Sequence, residues 1–351
     1  MSEPTARTGH PTPPASGGSS STSAARAGGA VRGSRAAEAF LHNPALGPLG
    51  ALAVAIVVFG LTTSTFLTVD NLSLVVQQSL VVATLALGQT LIVLTGGIDL
   101  ANAAIMVLGT MLFARLVTEG TTPPLALLAG FAVCALLGAV SGGLVTWLNL
   151  PPFIVTLGML TVVLALGRLY SQGNSWPVND SLLNVLGEGG YLFGQVKVTH
   201  GMTLAVLMFA ITWYALTKTA WGKHVYALGN DPEAARLTGI HVGRTRFSVY
   251  LIAGVIYAFA AWQALGRIPN ADPNAFQTGN LDSITAVVIG GTSLFGGRGS
   301  VIGTVVGALI VAVLRSGLTQ AGIDSLYQDV ATGVLVIAAV AFDQLARRRS
   351  R

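Results

Sequence analysis

The stretch that decides the fold is residues 217–246, TKTAWGKHVYALGNDPEAARLTGIHVGRTR, a dense polar insert between two long apolar runs. Its charged residues and histidines are Lys218, Lys223, His224, Asp231, Glu233, Arg236, His241, Arg244 and Arg246. A charged side chain at the centre of a bilayer costs at least about 2.5 to 3.5 kcal/mol. The insert is therefore expected to face water or a partner protein.

Within this insert, residues 231–239 (DPEAARLTG) predict one short helix with defined ends. Asp231 can cap the free N–H groups, and Pro232 suits the first helical position, where a missing N–H does no harm. Glu233 lies at the positive end of the helix dipole, and Gly239 is placed for a left-handed exit. Two turns are not stable alone in water. Packing must hold this helix, either on its own bundle or in a groove of another protein.

The composition of the whole chain is that of a membrane protein. Of its 351 residues 52% are hydrophobic and 9% are charged, and the mean hydropathy is +0.69. These values predict an all-α, polytopic transmembrane bundle. Cys134 is the only cysteine and the five histidines lack ligand spacing, so neither a disulfide nor a metal site is expected. The excess of basic residues reflects their placement beside the membrane, and nucleic acid is not expected as a partner.

No motif for catalysis or nucleotide binding occurs in the sequence. There is no GxxxxGK[ST] loop, no HExxH and no Ser/His/Asp arrangement, and paired carboxylates are missing. The chain is therefore not expected to be an enzyme, and the energy for any transport is expected to come from another protein.

The apolar residues divide the chain into a tail and a membrane domain. Residues 1–40 are rich in Ser, Gly, Ala and Pro and predict a disordered cytoplasmic tail. Residues 46–345 form the predicted membrane domain, and 346–351 a basic cytoplasmic tail. Ten apolar segments are expected at 47–67, 74–95, 100–117, 124–147, 153–170, 202–216, 247–265, 284–294, 301–318 and 330–345. The eighth is shorter than the roughly 20 residues that cross a bilayer, which favours a half-helix or a re-entrant segment.

Basic residues predict the orientation. With ten crossings and a cytoplasmic N-terminus, 14 of the 19 Lys and Arg residues lie inside, as the positive-inside rule requires. Both termini and the insert 217–246 are then cytoplasmic, and 171–201 is the largest outer loop. Residues 180–187 of that loop predict a short capped amphipathic helix. It is equally compatible with lying on lipid and with docking an outer partner.

Two acidic residues stand at the ends of apolar segments. Asp99 follows the helix-breaking pair Gly96-Gly97, so it is either a cap for a helix beginning at Leu100 or a residue that lines a solute path. Asp282, just before the eighth segment, is either a helix cap or an outer gate residue, with the cap favoured. A second pair, Gly296-Gly297, repeats the pattern of the first, as the broken helices of transporters do.

Four stretches of the chain resemble the permeases of ABC importers, and in particular the ribose-type branch that transports monosaccharides. They are residues 86–90 (ALGQT) with Asp99-Leu100, 150–158 (LPPFIVTLG), 229–240 (GNDPEAARLTGI) and 281–300 (LDSITAVVIGGTSLFGGRGS). The resemblance implies a ten-helix permease of the bacterial inner membrane that passes a small solute inward. Its expected partners are cytoplasmic ATPase subunits, an outer solute-binding protein, a second permease copy and membrane lipid. ATP and magnesium would bind to the ATPase, and no cofactor or metal to this chain.

The resemblance also assigns roles to residues. The helix that couples the permease to the ATPase corresponds to Asp231, Pro232, Glu233, Ala234, Ala235, Arg236 and Gly239. The translocation path or helix breaks are expected at Gly96, Gly97, Asp99, Phe153, Thr156, Asp282, Gly290, Gly291 and Phe295.

The sequence departs from the usual pattern of this branch at two places. Residues 101–103 are ANA where Ser-Val-Gly is common, and Asn280 stands where an acidic residue is frequent. The alternatives are an ABC permease for branched-chain amino acids or nucleosides, an ion-coupled secondary transporter that works alone, and a membrane scaffold whose loop recruits a partner.

Overall fold

A computed structural model of the chain describes residues 46–192 and 196–349. This part contains a 3₁₀ helix, Val185–Gly187, and thirteen α-helices, which are α1 Leu46–Thr62, α2 Val69–Leu94, α3 Asn102–Thr118, α4 Pro123–Trp147, α5 Pro152–Ser171, α6 Ser181–Asn184, α7 His200–Lys218, α8 Ala220–Asn230, α9 Pro232–Leu237, α10 Val242–Arg267, α11 Gly279–Ile289, α12 Val301–Gln320 and α13 Ser325–Arg349. The predicted tail 1–40 lies outside the described residues, as do residues 350 and 351. Residues 346–349, predicted as part of the basic tail, continue α13.

Local sequence signals define where the helices begin. The hydroxyl groups of Thr68, Thr199 and Ser300 accept backbone N–H groups at the starts of α2, α7 and α12. Prolines occupy the first turns of α4 and α5. Each predicted apolar segment overlaps one helix, and the eighth is the 11-residue α11.

Six helices in the described part are long and apolar enough to cross a membrane: α2, α4, α5, α7, α10 and α12. Four more, α1, α3, α11 and α13, are apolar over a shorter length. The chain is thus an all-α polytopic membrane protein, as its composition predicts.

Helices α2 and α10 form the centre of the bundle. The apolar windows of both are 72% buried, against 28% in α5 and α7. Small residues let the backbones approach α10 closely. A Cβ on Gly88 of α2 would lie 2.5 Å from the ring of Tyr257, and one on Gly138 of α4 would lie 2.5 Å from the carbonyl oxygen of Tyr250.

Short strands and a small helix cover one end of α10. Strand β1 (Trp176–Pro177) pairs with β4 (Asn270–Ala271), and β2 (Gly189–Leu192) pairs with β3 (Val196–Thr199), both antiparallel. Asp180 caps α6 as predicted, with Oδ1 accepting the Leu183 N–H at 3.0 Å. One side of α6 faces the bundle, because Leu183 is fully buried and Trp262 of α10 donates to the Leu182 carbonyl.

Candidate coupling site and inner junction

Helix α9 has the local geometry that its sequence predicts. Asp231 Oδ1 accepts the N–H groups of Glu233 and Ala234 at 2.9 and 3.0 Å, and Pro232 occupies the first position. Gly239 leaves the helix with φ of +88°, a conformation that glycine adopts without strain. The N–H of Ile240 closes the end by donating to the Ala235 carbonyl.

The surface of α9 is almost entirely exposed. Ala235 is its only buried residue and attaches the helix to the bundle. Arg236 and Glu233 form an exposed ion pair of 2.7 Å, and this guanidinium holds the pKa of the Glu233 carboxyl below its usual range. Leu237 is 76% exposed and adds an apolar group to this charged surface. An exposed two-turn helix with charged and apolar groups is a surface suited to a partner protein.

Helix α8 connects α9 to the bundle. Thr219 caps its first turn, and the indole N–H of Trp221 donates to Ser248 Oγ of α10 at 2.9 Å. At its last turn the N–H of Asp231 donates to the Ala227 carbonyl at 3.1 Å. The cap of α9 is therefore also the final hydrogen-bonded residue of α8, so the two helices share a fixed joint.

The end of α8 packs directly on two other backbone segments. A Cβ on Gly229 would overlap the carbonyl oxygen of Leu94, the last residue of α2, and would lie 2.5 Å from the Gly297 N. The Gly297 N–H donates to that same Leu94 carbonyl at 3.0 Å, and Tyr226 donates to the Gly299 carbonyl at 3.0 Å. We call this contact of Leu94, Gly229 and Gly297 the inner junction.

The inner junction brings together the two glycine pairs that are 200 residues apart in the sequence. A Cβ on Gly296 would lie 2.8 Å from the Gly96 N, which is closer than a Cβ normally lies to another non-hydrogen atom. Gly96, Gly296 and Gly297 all have positive φ, and the backbones of the two breaks lie in close contact. The predicted similarity of the two segments thus corresponds to a physical contact.

Asp99 lies in the break between α2 and α3 and is 2% exposed. Its Oδ1 accepts the Ala101 N–H at 2.8 Å, and its Oδ2 accepts the hydroxyl of Tyr257 at 3.0 Å. The prediction that Asp99 caps a helix beginning at Leu100 is wrong, because α3 begins at Asn102. The carboxylate instead ties the break to α10, since a buried carboxylate needs hydrogen-bond donors from the protein.

The predicted residue Thr156 contacts the same break. Its hydroxyl donates to the Ile98 carbonyl at 2.9 Å, so α5 also holds the segment after Gly97. Phe153, one turn earlier, is 51% exposed and makes no comparable contact among the described residues. Gly96, Gly97, Asp99 and Thr156 therefore form one group, to which Phe153 does not belong.

The remaining predicted glycines lie between α11 and α12. Gly290 packs against the backbone of Gly303 in α12, where a Cβ would overlap the carbonyl group. Gly291 has φ of +84° and turns the chain back after α11. Phe295 is 46% exposed and lies next to the glycine pair of the inner junction. These residues shape the end of the short helix and do not approach Asp282.

Asp282 lies in the first turn of α11, away from the inner junction. The expected role as a cap is wrong, because Thr278 precedes the helix and Asp282 is inside it. The carboxylate is 6% exposed and accepts the Arg315 Nη2 at 2.8 Å. Burying a carboxylate without a cation would cost several kcal/mol. The buried position of Asp282 therefore depends on Arg315 of α12.

Sequence reasoning missed three residues that the structure brings into these sites: Gly229, Tyr257 and Arg315. A glycine in the last turn of α8, just before the Asp231 cap, is a signal of close backbone approach. A lone arginine in the apolar segment 301–318 is a signal of a polar partner or a water-filled cavity. Tyr257 gives no such signal, since a tyrosine in an apolar run is common in a bundle.

Comparison with known proteins agrees with this architecture. Residues 71–340 match the family described as the branched-chain amino acid transport system / permease component. The chain is 43% identical to the fructose import permease protein of Rhizobium meliloti, over 88% of each chain. It is 36% identical to the ribose import permease protein of Bacillus subtilis, over 85% of this chain and 92% of that protein. It is 35% identical to the galactose/methyl galactoside import permease protein of Escherichia coli, over 85% and 93%.

No solved structure matches the chain. The family match covers most of the described membrane domain, and the three relatives cover nearly all of it. These matches identify an integral cell-membrane protein that acts as the permease subunit of an ABC importer. The chain therefore belongs to the family described as the permease component of the branched-chain amino acid transport system.

Proposed function

We propose that this permease passes a monosaccharide into the cell and that α9 is the helix through which separate ATPase subunits drive it. The observation that carries the coupling role is the exposed, capped α9 joined through α8 to the inner junction. The solute class rests on the relatives, which are import permeases for fructose, ribose and galactose or methyl galactoside. The family description names branched-chain amino acids, but it covers the whole family and not these relatives alone.

The proposed topology has ten helices in the membrane with both termini in the cytoplasm. This arrangement puts α8, α9 and the inner junction on the cytoplasmic side, and α6 with the four short strands outside. The support is the basic insert between α7 and α10 together with the basic C-terminal residues. The partner ATPase would hold ATP and magnesium, and this chain would hold no cofactor.

Force from an ATPase on α9 has a short route into the membrane. The Asp231 joint transmits it to α8, and Gly229 of α8 touches the last residue of α2 and the loop before α12. Five residues after Leu94, Asp99 connects the break to α10 through Tyr257. Because the contacts of Gly229 with Leu94 and Gly297 are between backbone atoms, a shift of α8 displaces the helix ends instead of being absorbed by side-chain rotation.

Three further partners complete the proposed importer. A solute-binding protein would deliver the sugar from outside, and a second permease copy would complete the path across the membrane. Lipid would cover the apolar faces of α1, α5 and α7, where large residues such as Leu61, Leu169 and Val206 are 69% to 84% exposed.

The decisive experiment is sugar uptake by cells that carry the Glu233→Lys variant with its ATPase and binding protein. The change reverses a charge on the exposed face of α9 and breaks the ion pair to Arg236, without touching a buried residue. Uptake should fall more than tenfold while the protein stays in the membrane. The matched control is Glu119→Lys, which breaks the exposed ion pair of 2.6 Å with Arg115 at the opposite end of the bundle.

Equal uptake by the two variants would remove α9 from the coupling mechanism. Reconstitution in liposomes without any ATPase tests the alternative of an ion-coupled transporter. Concentrative uptake driven by an ion gradient alone would contradict the proposal. Uptake of leucine or a nucleoside but no monosaccharide would contradict the solute class and leave the coupling role standing.

A further inference from the structure

A polar cleft opens between helix ends at the side of the bundle opposite the inner junction. It has a volume of about 510 Å³ and is lined by α2, the last residue of α10, α11, α12, α13 and the segment between α10 and α11. Cavities of 300 to 1,000 Å³ are typical of small-molecule sites. Only Asp282 of its lining was singled out from the sequence, and the coupling role described above does not use this cleft.

The charges in the cleft cancel. Arg315 Nη2 donates to Asp282 Oδ1 at 2.8 Å, to Thr278 Oγ1 at 3.0 Å and to Asp329 Oδ1 at 3.3 Å. Arg267 also lines the cleft, so two cationic and two anionic side chains face the same space. A charged solute would meet repulsion from one pair as well as attraction to the other. A neutral solute meets no such repulsion. The balance of charges in the cleft therefore favours neutral solutes over ions.

Hydrogen-bonding groups remain available on several walls of the cleft. The side-chain amides of Gln78, Asn274 and Gln277 have no hydrogen-bond partner among the residues that the structure describes. The Nε of Arg315 is buried and has no partner there either. Gln328 differs, since its amide donates to Thr319 Oγ1 and to the Ile323 carbonyl. The free amides each offer donors and an acceptor, which is the pattern that matches hydroxyl groups.

One wall of the cleft carries an aromatic ring on an unusual backbone. Phe276 has φ of +53°, a left-handed conformation that bulky residues rarely adopt. Such conformations persist where the surrounding structure holds them, and they concentrate at binding sites. Together with Val82, Val311 and Ala312, the phenylalanine gives the cleft an apolar surface, which suits the C–H face of a sugar.

We propose that this cleft is a binding site, within a single permease chain, for a neutral polyhydroxylated solute of monosaccharide size. The inference rests on the proposed import function and deepens it by giving the solute a place in this chain. The amides of Gln78, Asn274 and Gln277 bind hydroxyl groups, and the Asp282–Arg315–Asp329 cluster closes the floor without attracting ions.

A second polar cleft provides an internal comparison. It is lined by Arg115, Tyr170, Asn174 and Trp176 and has a volume of about 260 Å³. The guanidinium of Arg115 covers both rings, at 4.4 Å from Tyr170 and 5.6 Å from Trp176. Its aromatic faces are thus already occupied, and it serves as the control site.

The test is equilibrium binding by the full-length chain in lipid nanodiscs, followed by saturation-transfer NMR with D-galactose, D-fructose and D-ribose. D-Galacturonate and D-galactosamine are the charged probes. At least one neutral sugar should bind. Galacturonate and galactosamine should each bind at least tenfold more weakly than galactose. The double variant Asn274→Ala/Gln277→Ala removes two exposed side chains, so the fold is retained. It should weaken binding of the neutral sugar by roughly tenfold, since each neutral hydrogen bond contributes a factor of about 2 to 10.

The control variant Asn174→Ala removes an exposed amide from the second cleft and should leave binding unchanged. Failure of all three sugars to bind the wild-type chain would overturn the inference, and so would equal binding of galactose and galacturonate. Loss of binding in Asn174→Ala, with none in the double variant, would move the site to the second cleft and overturn it as well. These outcomes are independent of ATP-driven uptake, which tests the proposed function separately, because no ATPase is present in the binding assay.

Discussion

Replacing Gly229 by alanine tests the inner junction most directly. The added Cβ would overlap the Leu94 carbonyl oxygen and lie 2.5 Å from the Gly297 N. Both neighbours are backbone atoms at the ends of other elements, so neither can rotate away. Either α8 must move outward, or the hydrogen bond of 3.0 Å between Gly297 and Leu94 must break.

The change in the free energy of unfolding caused by Gly229→Ala is the sum of opposing contributions. Alanine favours a helix over glycine by about 1 kcal/mol, and this gain is available because Gly229 lies within α8. Overpacking typically costs about 1 to 3 kcal/mol, and loss of a backbone hydrogen bond adds about 1 kcal/mol. The net change is a destabilisation of about 1 to 3 kcal/mol, concentrated at the contact between α8 and α2.

The assay is ATP-dependent uptake together with thermal unfolding in detergent, for Gly229→Ala and for a control. Gly158→Ala is the matched control, because Gly158 is helical and no atom lies within 4 Å of its added Cβ. Uptake should fall at least tenfold in Gly229→Ala and Tm should drop by several degrees, whereas Gly158→Ala should behave as wild type or be slightly more stable. Identical uptake and Tm in the two variants would refute the argument that the junction is closely packed and transmits motion.

Three further predictions concern single contacts. Tyr257→Phe removes the hydroxyl that donates to Asp99 Oδ2, and it should destabilise the chain by about 1 to 3 kcal/mol in thermal unfolding. The effect should be much smaller in the Asp99→Ala background, which has no side-chain partner for the hydroxyl. Thr156→Val leaves the Ile98 carbonyl without its donor and should cost about 1 kcal/mol, while Thr161→Val, whose hydroxyl bonds only within its own exposed helix turn, should cost less. Gly239→Val meets no atom within 4 Å, so the left-handed backbone alone should impair α9 and reduce uptake; normal uptake would show that the exit of α9 tolerates a side chain.

Local sequence signals were sufficient for the elements themselves. Each long apolar run became a helix, because a helix pairs every backbone N–H and C=O group within the segment itself, as an apolar segment in lipid requires. The nine residues DPEAARLTG specified the bounds, cap and exit of α9 by interactions between residues close together in the sequence. The same signals predicted the Asp180 cap of α6.

Contacts between segments that are distant in the sequence could not be predicted from local sequence signals. Asp282 looked like a cap from its neighbours, but its partner Arg315 is 33 residues away on another helix. Asp99 followed a glycine break as predicted, yet the hydroxyl that binds it comes from Tyr257, 158 residues along the chain. Helix periodicity shows which residues can share a face, and it contains no information about which face of which helix lies opposite.

The sequence by itself determined that this protein is embedded in a membrane and exposes one short capped helix, since transfer free energies and capping act over a few residues. Tertiary structure alone decided that the helix reaches α2 through Gly229, that the two glycine breaks touch, and that a charge-balanced cleft forms at the other end. The physical reason is that these features depend on close packing between elements, where the absence of a single Cβ or the presence of one counter-charge on a distant helix selects the arrangement.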